Sequence, residues 1–133
     1  MSSARSDCPI TCALDLVGDT WTLVVLRDLL LGGKRRFSEL AAPEGIASNI
    51  LSDRLRRLES AGLVTRQRDP QDGRRKIIVP TERAWDLVPA ILELAIFGRD
   101  HCGGTAHAQM VEMARTDRDG LIAAFRSRAL QPG

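Results

Sequence analysis

The 133-residue chain is long enough for one compact domain, and its 44% hydrophobic and 27% charged residues are ordinary for a globular protein. No apolar run reaches the length of a membrane span, and the first residues lack the apolar core of a secretory signal. We therefore expect a cytoplasmic protein with no membrane partner, and an odd number of cysteines, three, argues against a disulfide framework.

Basic charge is concentrated in the middle of the chain. The segment 34–76 holds 11 Lys and Arg against 6 Asp and Glu, whereas the remainder holds 8 against 11. This distribution favours a nucleic-acid-binding face on a neutral-to-acidic body. A solvated basic surface would give the same distribution, so the charge alone does not decide between the two.

The N-terminal part predicts two helices behind a flexible tail at 1–7. Residues 8–12 lead into a short helix-like run over 13–17, which ends at Gly18. Asp19 or Thr20 can then cap a second helix over 21–31. This helix is apolar on nearly all sides, so we expect it in the centre of the core.

Residues 37–61 predict a helix-turn-helix. A short helix over 37–42 is closed by Pro43 and a tight turn, and an amphipathic helix follows over 47–61. Leucines share one face of this second helix, and the opposite face is polar: Leu51, Leu55 and Leu58 against Asn49, Asp53, Arg56, Arg57 and Ser60. Ser48 and Asn49 suit a helix start, and Gly62 suits a C-terminus that needs φ > 0. Short polar side chains and Arg are the groups that read base edges, although an ordinary surface helix would look similar.

The next segment predicts a β-hairpin. Residues 63–68 and 76–79 have strand character, and the Asp-Pro-Gln-Asp-Gly sequence between them is typical of a turn. Arg74 and Arg75 would lie at its tip, where arginine can enter a minor groove or contact phosphates, or be simply solvated. A hairpin directly after a helix-turn-helix is a wing. The predicted fold class is therefore mainly α with a small β-hairpin wing (α+β), a winged helix-turn-helix with flanking dimerisation helices.

The C-terminal part predicts more helix than one winged module can bury. Thr81 can cap a long helix from 82 to about 98, and weaker helical segments cover 106–114 and 121–130. We therefore expect the apolar ends to serve self-association. The predicted domains are a DNA-binding unit over 8–100 and a helical extension over 101–133 for dimerisation.

An ordered set of short motifs carries a family resemblance: Cys8-Pro9, Gly18–Trp21, Arg36–Leu40, Gly45-Ile46, Leu51–Glu59 and Gly62–Val64. On this set the chain, from Cys8 to about Arg99, resembles the HxlR family of bacterial winged helix-turn-helix regulators, relatives of the MarR group. Ala47 stands where that family usually has Ser or Thr, so we expect the helix cap to shift to Ser48. The wing sequence 69–75 resembles the MarR wing instead.

The resemblance implies a homodimer that binds double-stranded DNA at a near-palindromic operator, with one helix per subunit in the major groove. By position, base readout would come from the 47–61 helix: Ser48, Asn49, Ser52, Asp53 and Arg56. Phosphate or minor-groove contacts would come from four arginines: Arg35, Arg36, Arg74 and Arg75. Asp72 is expected to brace the wing through Arg74, and dimer contacts should come from 8–17 and the helices after 81.

Other chemistry in the sequence is sparse. Some members of the family sense oxidants through a cysteine at the position of Cys8, which would need an exposed thiol with a lowered pKa. An unreactive thiol is the alternative, and we expect Cys12 to be a small core residue. The pair His101-Cys102 with His107 is a weak metal signal, so we predict no metal, no cofactor and no enzyme activity.

Two hypotheses for function stay open. The first is a transcriptional regulator switched by a thiol, by a small-molecule effector, or by neither. The second is a winged-helix module that binds a protein partner and no DNA.

Overall fold

The computed structural model describes residues 6–129. The predicted fold class is confirmed, because this part of the chain is mostly helical with one antiparallel hairpin. The elements are α1 (Pro9–Val17), α2 (Thr22–Leu30), a 3-10 helix (Phe37–Glu39), α3 (Ser48–Ser60), β1 (Val64–Arg68), β2 (Lys76–Pro80), α4 (Glu82–Trp85), α5 (Val88–His101), α6 (Ala108–Thr116) and α7 (Arg118–Ala129). Most of the predicted tail, residues 1–5, lies outside the described residues, as does the end of the last predicted helix at Leu130.

Helix α2 lies in the centre of the core, as its apolar sequence predicts. Val25, Leu26 and Leu29 are fully buried. The three leucines of α3 pack into the same core, together with Val64 of β1, Leu92 of α5 and Leu121 of α7. One continuous core therefore holds the helix-turn-helix, the hairpin and the C-terminal helices together.

The prediction of a helix over 37–42 is wrong in its length. Only Phe37–Glu39 is helical, as a 3-10 turn, and the chain then passes through Ala41 in the left-handed region at φ 52°. The buried carboxylate of Asp28 holds Ala41 there, since its Oδ2 accepts a hydrogen bond of 2.7 Å from the Ala41 N–H. Leu40 is already extended, with ψ 125°, and a left-handed residue at Ala41 cannot resume a helix, so the segment ends here.

The hairpin pairs β1 with β2 in the predicted place. Val64 lies opposite Pro80 and Arg68 opposite Lys76. The chain ahead of the helix-turn-helix adds one further bridge, because the Ile78 N–H donates to the Arg35 carbonyl at 2.8 Å. The wing is therefore attached to the body on both sides, through the end of α3 and through Arg35.

The long helix predicted from residue 82 is two helices. The break falls at residues 86–87, and Pro89 lies in the first turn of α5, where its missing N–H costs little. Thr81 is at the N-cap of α4, but its hydroxyl donates to the Gly62 carbonyl at 2.7 Å instead of capping the helix. That carbonyl lies at the end of α3, where Gly62 has φ 78°, as the sequence predicts.

The C-terminal helices fold back onto their own chain. Ala114 and Leu121 are buried in the common core, and the Arg126 guanidinium lies 4.9 Å from the centre of the Trp85 ring. Arg126 also donates to both carboxylate oxygens of Glu82 at 2.9 Å. The extension thus stabilises the body that carries the hairpin, and its role in dimerisation stays a prediction.

Within residues 6–129, no single helix has the length and apolar character needed to cross a membrane. Helices α1 and α2 reach that length and composition only as a pair, and the pair is bent by 82°.

Candidate nucleic-acid interface

Helix α3 presents the predicted polar face to solvent. Leu51, Leu55 and Leu58 are buried behind it. Of the predicted base readers, Ser48, Asn49 and Arg56 are exposed, and Ser52 and Asp53 are half-buried. The structure therefore brings all five to one side of one helix, with donors and acceptors suited to base edges.

The start of α3 differs from the expectation. Ala47, not Ser48, occupies the N-cap, with extended backbone and no side-chain hydrogen bond. Ser48 is the first helical residue, so its exposed hydroxyl is left available to a ligand rather than used as a cap. The N–H groups of this first turn also lack a capping side chain, and such groups favour anions such as a phosphate.

Asp19 fixes the orientation of α3 relative to α2. Its Oδ1 accepts hydrogen bonds from the backbone N–H of Trp21 at 2.9 Å and of Thr22 at 3.0 Å, as the predicted cap. The same oxygen accepts a hydrogen bond from Arg54 Nε of α3 at 3.0 Å, and Arg57 Nη1 lies 3.9 Å from Oδ2. Partial burial opposes ionisation, but the hydrogen bonds from Thr22, Arg54 and the backbone outweigh it and hold the pKa of Asp19 well below its usual range.

Sequence reasoning missed this function of Arg54. The residue lies beside Asp53 in a run of polar positions, and only the folded chain shows that it turns toward α2 rather than outward. Arg54 Nη1 also lies 2.7 Å from Asp53 Oδ2, so the carboxylate of that predicted base reader is partly neutralised.

A second ionic link holds the turn that enters α3. The Arg27 guanidinium of α2 donates to both carboxylate oxygens of Glu44, at 2.8 and 3.0 Å, and Nη2 lies 2.8 Å from Asp28 Oδ1. The Glu44 hydrogen bond outweighs desolvation and raises the pKa of Arg27, while the same contact lowers the pKa of Glu44. The turn is therefore clamped to the central helix only four residues before Ser48.

The wing tip is exposed and braced from within, as predicted. Asp72 Oδ1 accepts hydrogen bonds from the backbone N–H of Arg74 at 3.1 Å and from its Nε at 3.3 Å, and Asp72 Oδ2 lies 3.5 Å from Arg75 Nε. The Arg74 side chain is nevertheless 92% exposed. Weak, exposed pairing of this kind can be exchanged for a phosphate at little cost.

The two remaining predicted arginines are used inside the fold. Arg36 Nη2 lies 3.0 Å from Asp69 Oδ2, a buried oxygen that accepts no hydrogen bond from the described residues, so this contact is an ion pair at the base of the wing. Arg35 donates to the carbonyls of Leu29 at 2.7 Å and Lys34 at 2.9 Å, and burial lowers the pKa of its guanidinium. Arg35 therefore caps α2, and this position does not support a phosphate contact.

Cys8 lies at the N-cap of α1 and is partly exposed. Hydrogen bonds from the backbone N–H of Thr11 and Ile10, and then from the Thr11 hydroxyl, lower the pKa of the thiol. Cys12 was expected in the core, but it is exposed, and its thiol donates to the Ser6 carbonyl at 3.5 Å. The face of α1 that carries Cys8 and Cys12 points away from the core, so neither position requires an apolar side chain.

Metal ligands do not cluster in the part of the chain that the structure describes. No three His, Cys, Asp or Glu side chains in it lie close enough to share an ion.

Residues 16–105 match the HxlR-like helix-turn-helix family. The chain belongs to this family. It is 42% identical over 89 residues to an HTH-type transcriptional regulator of Mycobacterium bovis, Mb3122, over 67% of this chain and 56% of that protein. It is 32% identical over 93 residues to the HTH-type transcriptional regulator sll1512 of Synechocystis, over 70% of this chain and 69% of that protein. The match thus spans only about half the length of the mycobacterial relative, and these relatives are named as regulators, not enzymes.

Solved structures of several transcription factors and regulators share the fold. The structure of PA1607, a proposed transcription factor, has a TM-score of 0.68 at 28% identity, over 78% of this chain and 72% of that one. The redox regulator HypR in its reduced form has a TM-score of 0.58 at 26% identity, over 70% and 92%. The transcriptional regulator YodB of Bacillus subtilis in its reduced form has a TM-score of 0.57 at 28% identity, over 75% and 100%.

Proposed function

We propose that this HxlR-family protein is a homodimeric transcriptional regulator that binds a near-palindromic DNA operator. The observation that carries the proposal is the exposed polar face of α3, set against three buried leucines and followed directly by a wing with arginines at its tip. One α3 per subunit would enter the major groove, with half-sites about 34 Å apart. A regulator of this kind must reach the chromosome, so we place it in the cytoplasm.

The contacts divide by chemistry. Ser48, Asn49 and Ser52 offer donors and acceptors to base edges. Arg56 offers donors as well, although its Nη2 lies 3.8 Å from Asp53 Oδ1, and Asp53, paired with both Arg54 and Arg56, could accept from a cytosine amine. Arg74 and Arg75 would bind phosphates or enter the minor groove. Arg36 would contribute indirectly, because its ion pair with Asp69 holds the base of the wing in place.

Self-association is supported by exposed apolar side chains on α1 and α5. Four large side chains are more than half exposed: Ile10 and Leu14 on α1, and Leu94 and Phe97 on α5. Ile10 is 70% and Phe97 is 58% exposed, which is unusual for residues of this size in helices. We infer that these faces meet in the dimer, and that the two operator half-sites reflect its twofold axis.

We further propose that Cys8 makes DNA binding sensitive to oxidation. HypR is named a redox regulator, and YodB has also been solved after treatment with the thiol oxidant diamide. The lowered pKa of Cys8 favours the reactive thiolate, which oxidants convert to a sulfenic acid or a disulfide. Cys8 caps the helix that carries Ile10 and Leu14, so its oxidation would change the proposed dimer face.

The test is binding of the reduced protein to the DNA upstream of its own coding sequence, across a salt series, repeated after diamide. We expect sequence-selective binding that weakens steeply with salt. Oxidation should abolish binding, reductant should restore it, and Cys8→Ser should be insensitive to diamide, whereas Cys102→Ser should behave like wild type. A folded dimer that fails to bind DNA at low salt would favour the protein-partner function instead.

A further inference from the structure

An apolar groove lies between α2, α5 and α6, and none of the residues assigned to DNA lines it. Its volume is about 330 Å³, which is within the range of small-molecule sites. Its walls are mostly aliphatic: Leu23, Leu31, Ile91, Met110 and Val111, together with Leu94, which also belongs to the proposed dimer face. The family match ends at residue 105, so the α6 wall belongs to the extension rather than to the family's shared core.

The basic side chains that line this groove have no acidic counterpart among its lining residues. They are Arg27 of α2, Arg99 of α5 and His107 at the start of α6. Arg99 donates one hydrogen bond, to the Thr105 carbonyl at 3.0 Å, and forms no ion pair with the described residues. An apolar cavity with an unpaired guanidinium at its rim complements an apolar molecule with one negative charge.

Gly98 keeps the groove open in the interior of α5. Glycine in a helix interior costs about 0.5–1 kcal/mol relative to alanine. A Cβ built on Gly98 would meet no atom within 4 Å, so no neighbouring atom requires glycine here. The space beside Gly98 is the groove itself.

The groove also reaches the residue that clamps the turn before α3. Arg27 lines it and binds Glu44 through two hydrogen bonds and Asp28 through a third. A second cavity of about 520 Å³ adjoins the groove and is lined by both Arg27 and Glu44. An anion in the groove would therefore compete with Glu44 for Arg27, and loss of that contact would release the turn that positions Ser48.

We propose that this groove is a ligand site for a small apolar monoanion, an aromatic or long aliphatic carboxylate or sulfonate, and that its binding weakens DNA binding through Arg27 and Glu44. Its apolar body fills the space beside Gly98, and its charged group lies at Arg99 and Arg27. The second half of the proposal rests on the proposed function.

Two fluorescent probes that differ only in a sulfonate group test the site without DNA. They are 8-anilinonaphthalene-1-sulfonate and its uncharged analogue N-phenyl-1-naphthylamine. We expect saturable binding of the sulfonate at one site per chain. Gly98→Leu should fill the groove and weaken sulfonate binding at least about tenfold, a loss equivalent to one large apolar contact. Ala123→Leu, exposed on α7 and outside the groove lining, should change it less than twofold.

Arg99→Gln tests the charge. It should weaken the sulfonate severalfold and leave the uncharged probe unchanged, whereas Arg83→Gln, exposed on α4 and away from the groove, should affect neither. Wild-type sulfonate binding by Gly98→Leu would overturn the site. Equal loss of both probes in Arg99→Gln would overturn the preference for an anion. Circular dichroism of each variant ensures that only folded protein is compared.

The regulatory half is tested by DNA binding with and without saturating sulfonate. We expect weaker binding to wild type and no effect of the sulfonate on Gly98→Leu. Unchanged DNA affinity in the presence of bound probe would overturn the coupling but leave the ligand site in place. A protein that binds the probe and no DNA would overturn the proposed function instead, so the two failures are distinguishable.

Discussion

Arg54 Nε donates a 3.0 Å hydrogen bond to Asp19 Oδ1, and this contact joins the DNA-facing helix to the central helix of the core. The two side chains are each about three-quarters buried, and Asp19 also caps α2. The orientation of α3 therefore depends on a carboxylate outside the helix-turn-helix sequence.

We predict that Asp19→Ala lowers the free energy of unfolding by about 2 kcal/mol, because it removes both a helix cap and a charged hydrogen bond. Urea denaturation at pH 7 measures this. Asp86→Ala, which removes an exposed carboxylate that forms no ion pair with the described residues, should cost much less. Equal losses in the two variants would contradict the assigned link.

The same contact predicts a pH dependence. The pKa of Asp19 is depressed in the folded protein, so its contribution to stability is fully present above the ordinary value of about 3.9 and is lost as pH falls below it. Denaturation between pH 5 and about 3 should therefore show a steeper loss for wild type than for Asp19→Asn. Parallel curves would show that Asp19 does not titrate with folding.

Arg74→Ala should weaken DNA binding with little effect on base preference, since a wing arginine mainly contacts the backbone. The slope of log K against log salt should become shallower by about 1, one phosphate contact. Fluorescence anisotropy with specific and scrambled DNA measures both quantities. Arg115→Ala, which removes the same charge from α6, is the control. If Arg74→Ala binds DNA with wild-type affinity, the assignment of the wing to DNA is wrong.

Asn49→Ala should instead relax sequence preference. Asn49 is exposed in the first turn of α3, and a bidentate contact to a base is worth about 1–3 kcal/mol of discrimination. The ratio of affinities for operator and point-mutated operator should fall, while binding to scrambled DNA stays the same. Ser60→Ala, exposed at the far end of α3, should leave that ratio unchanged. If this affinity ratio is unchanged in Asn49→Ala, Asn49 does not contribute to base recognition.

Cys8 should be alkylated by iodoacetamide with a midpoint below the ordinary thiol pKa of about 8.5. The rate is measured against pH in a Cys12→Ser, Cys102→Ser background. Thr11→Val removes one of the hydrogen bonds to the thiolate, so it should shift the midpoint upward, whereas Thr105→Val should not. An ordinary midpoint in the parent protein would contradict the proposed sensitivity to oxidation.

Local patterns were enough to predict α3 and the wing. The spacing of Leu51, Leu55 and Leu58 defines the buried face of a helix wherever that helix lies. Asp72 favours a turn through a local contact, because its side chain accepts a hydrogen bond from the Arg74 N–H two residues on. Both depend on neighbours in sequence, and the structure confirms both elements.

What the sequence could not predict depends on contacts between distant residues. Ala41 leaves the helical region because the Asp28 carboxylate, 13 positions earlier, binds its N–H. Arg35 caps α2 instead of facing outward because the fold places the Leu29 carbonyl within reach. Cys12 is exposed because no core element covers that side of α1, and a helical pattern shows which residues share a face but not which face is covered.

The ion pair between Arg36 and Asp69 has a consequence for binding. It ties the start of the helix-turn-helix to the base of the wing through a buried oxygen, so the two parts that would touch DNA are set at a fixed angle before they meet it. The conformational entropy of the linked segments is lost during folding and not when the protein binds the duplex. The position of the wing relative to the helix-turn-helix is therefore set before binding, which favours DNA whose groove already has the matching width.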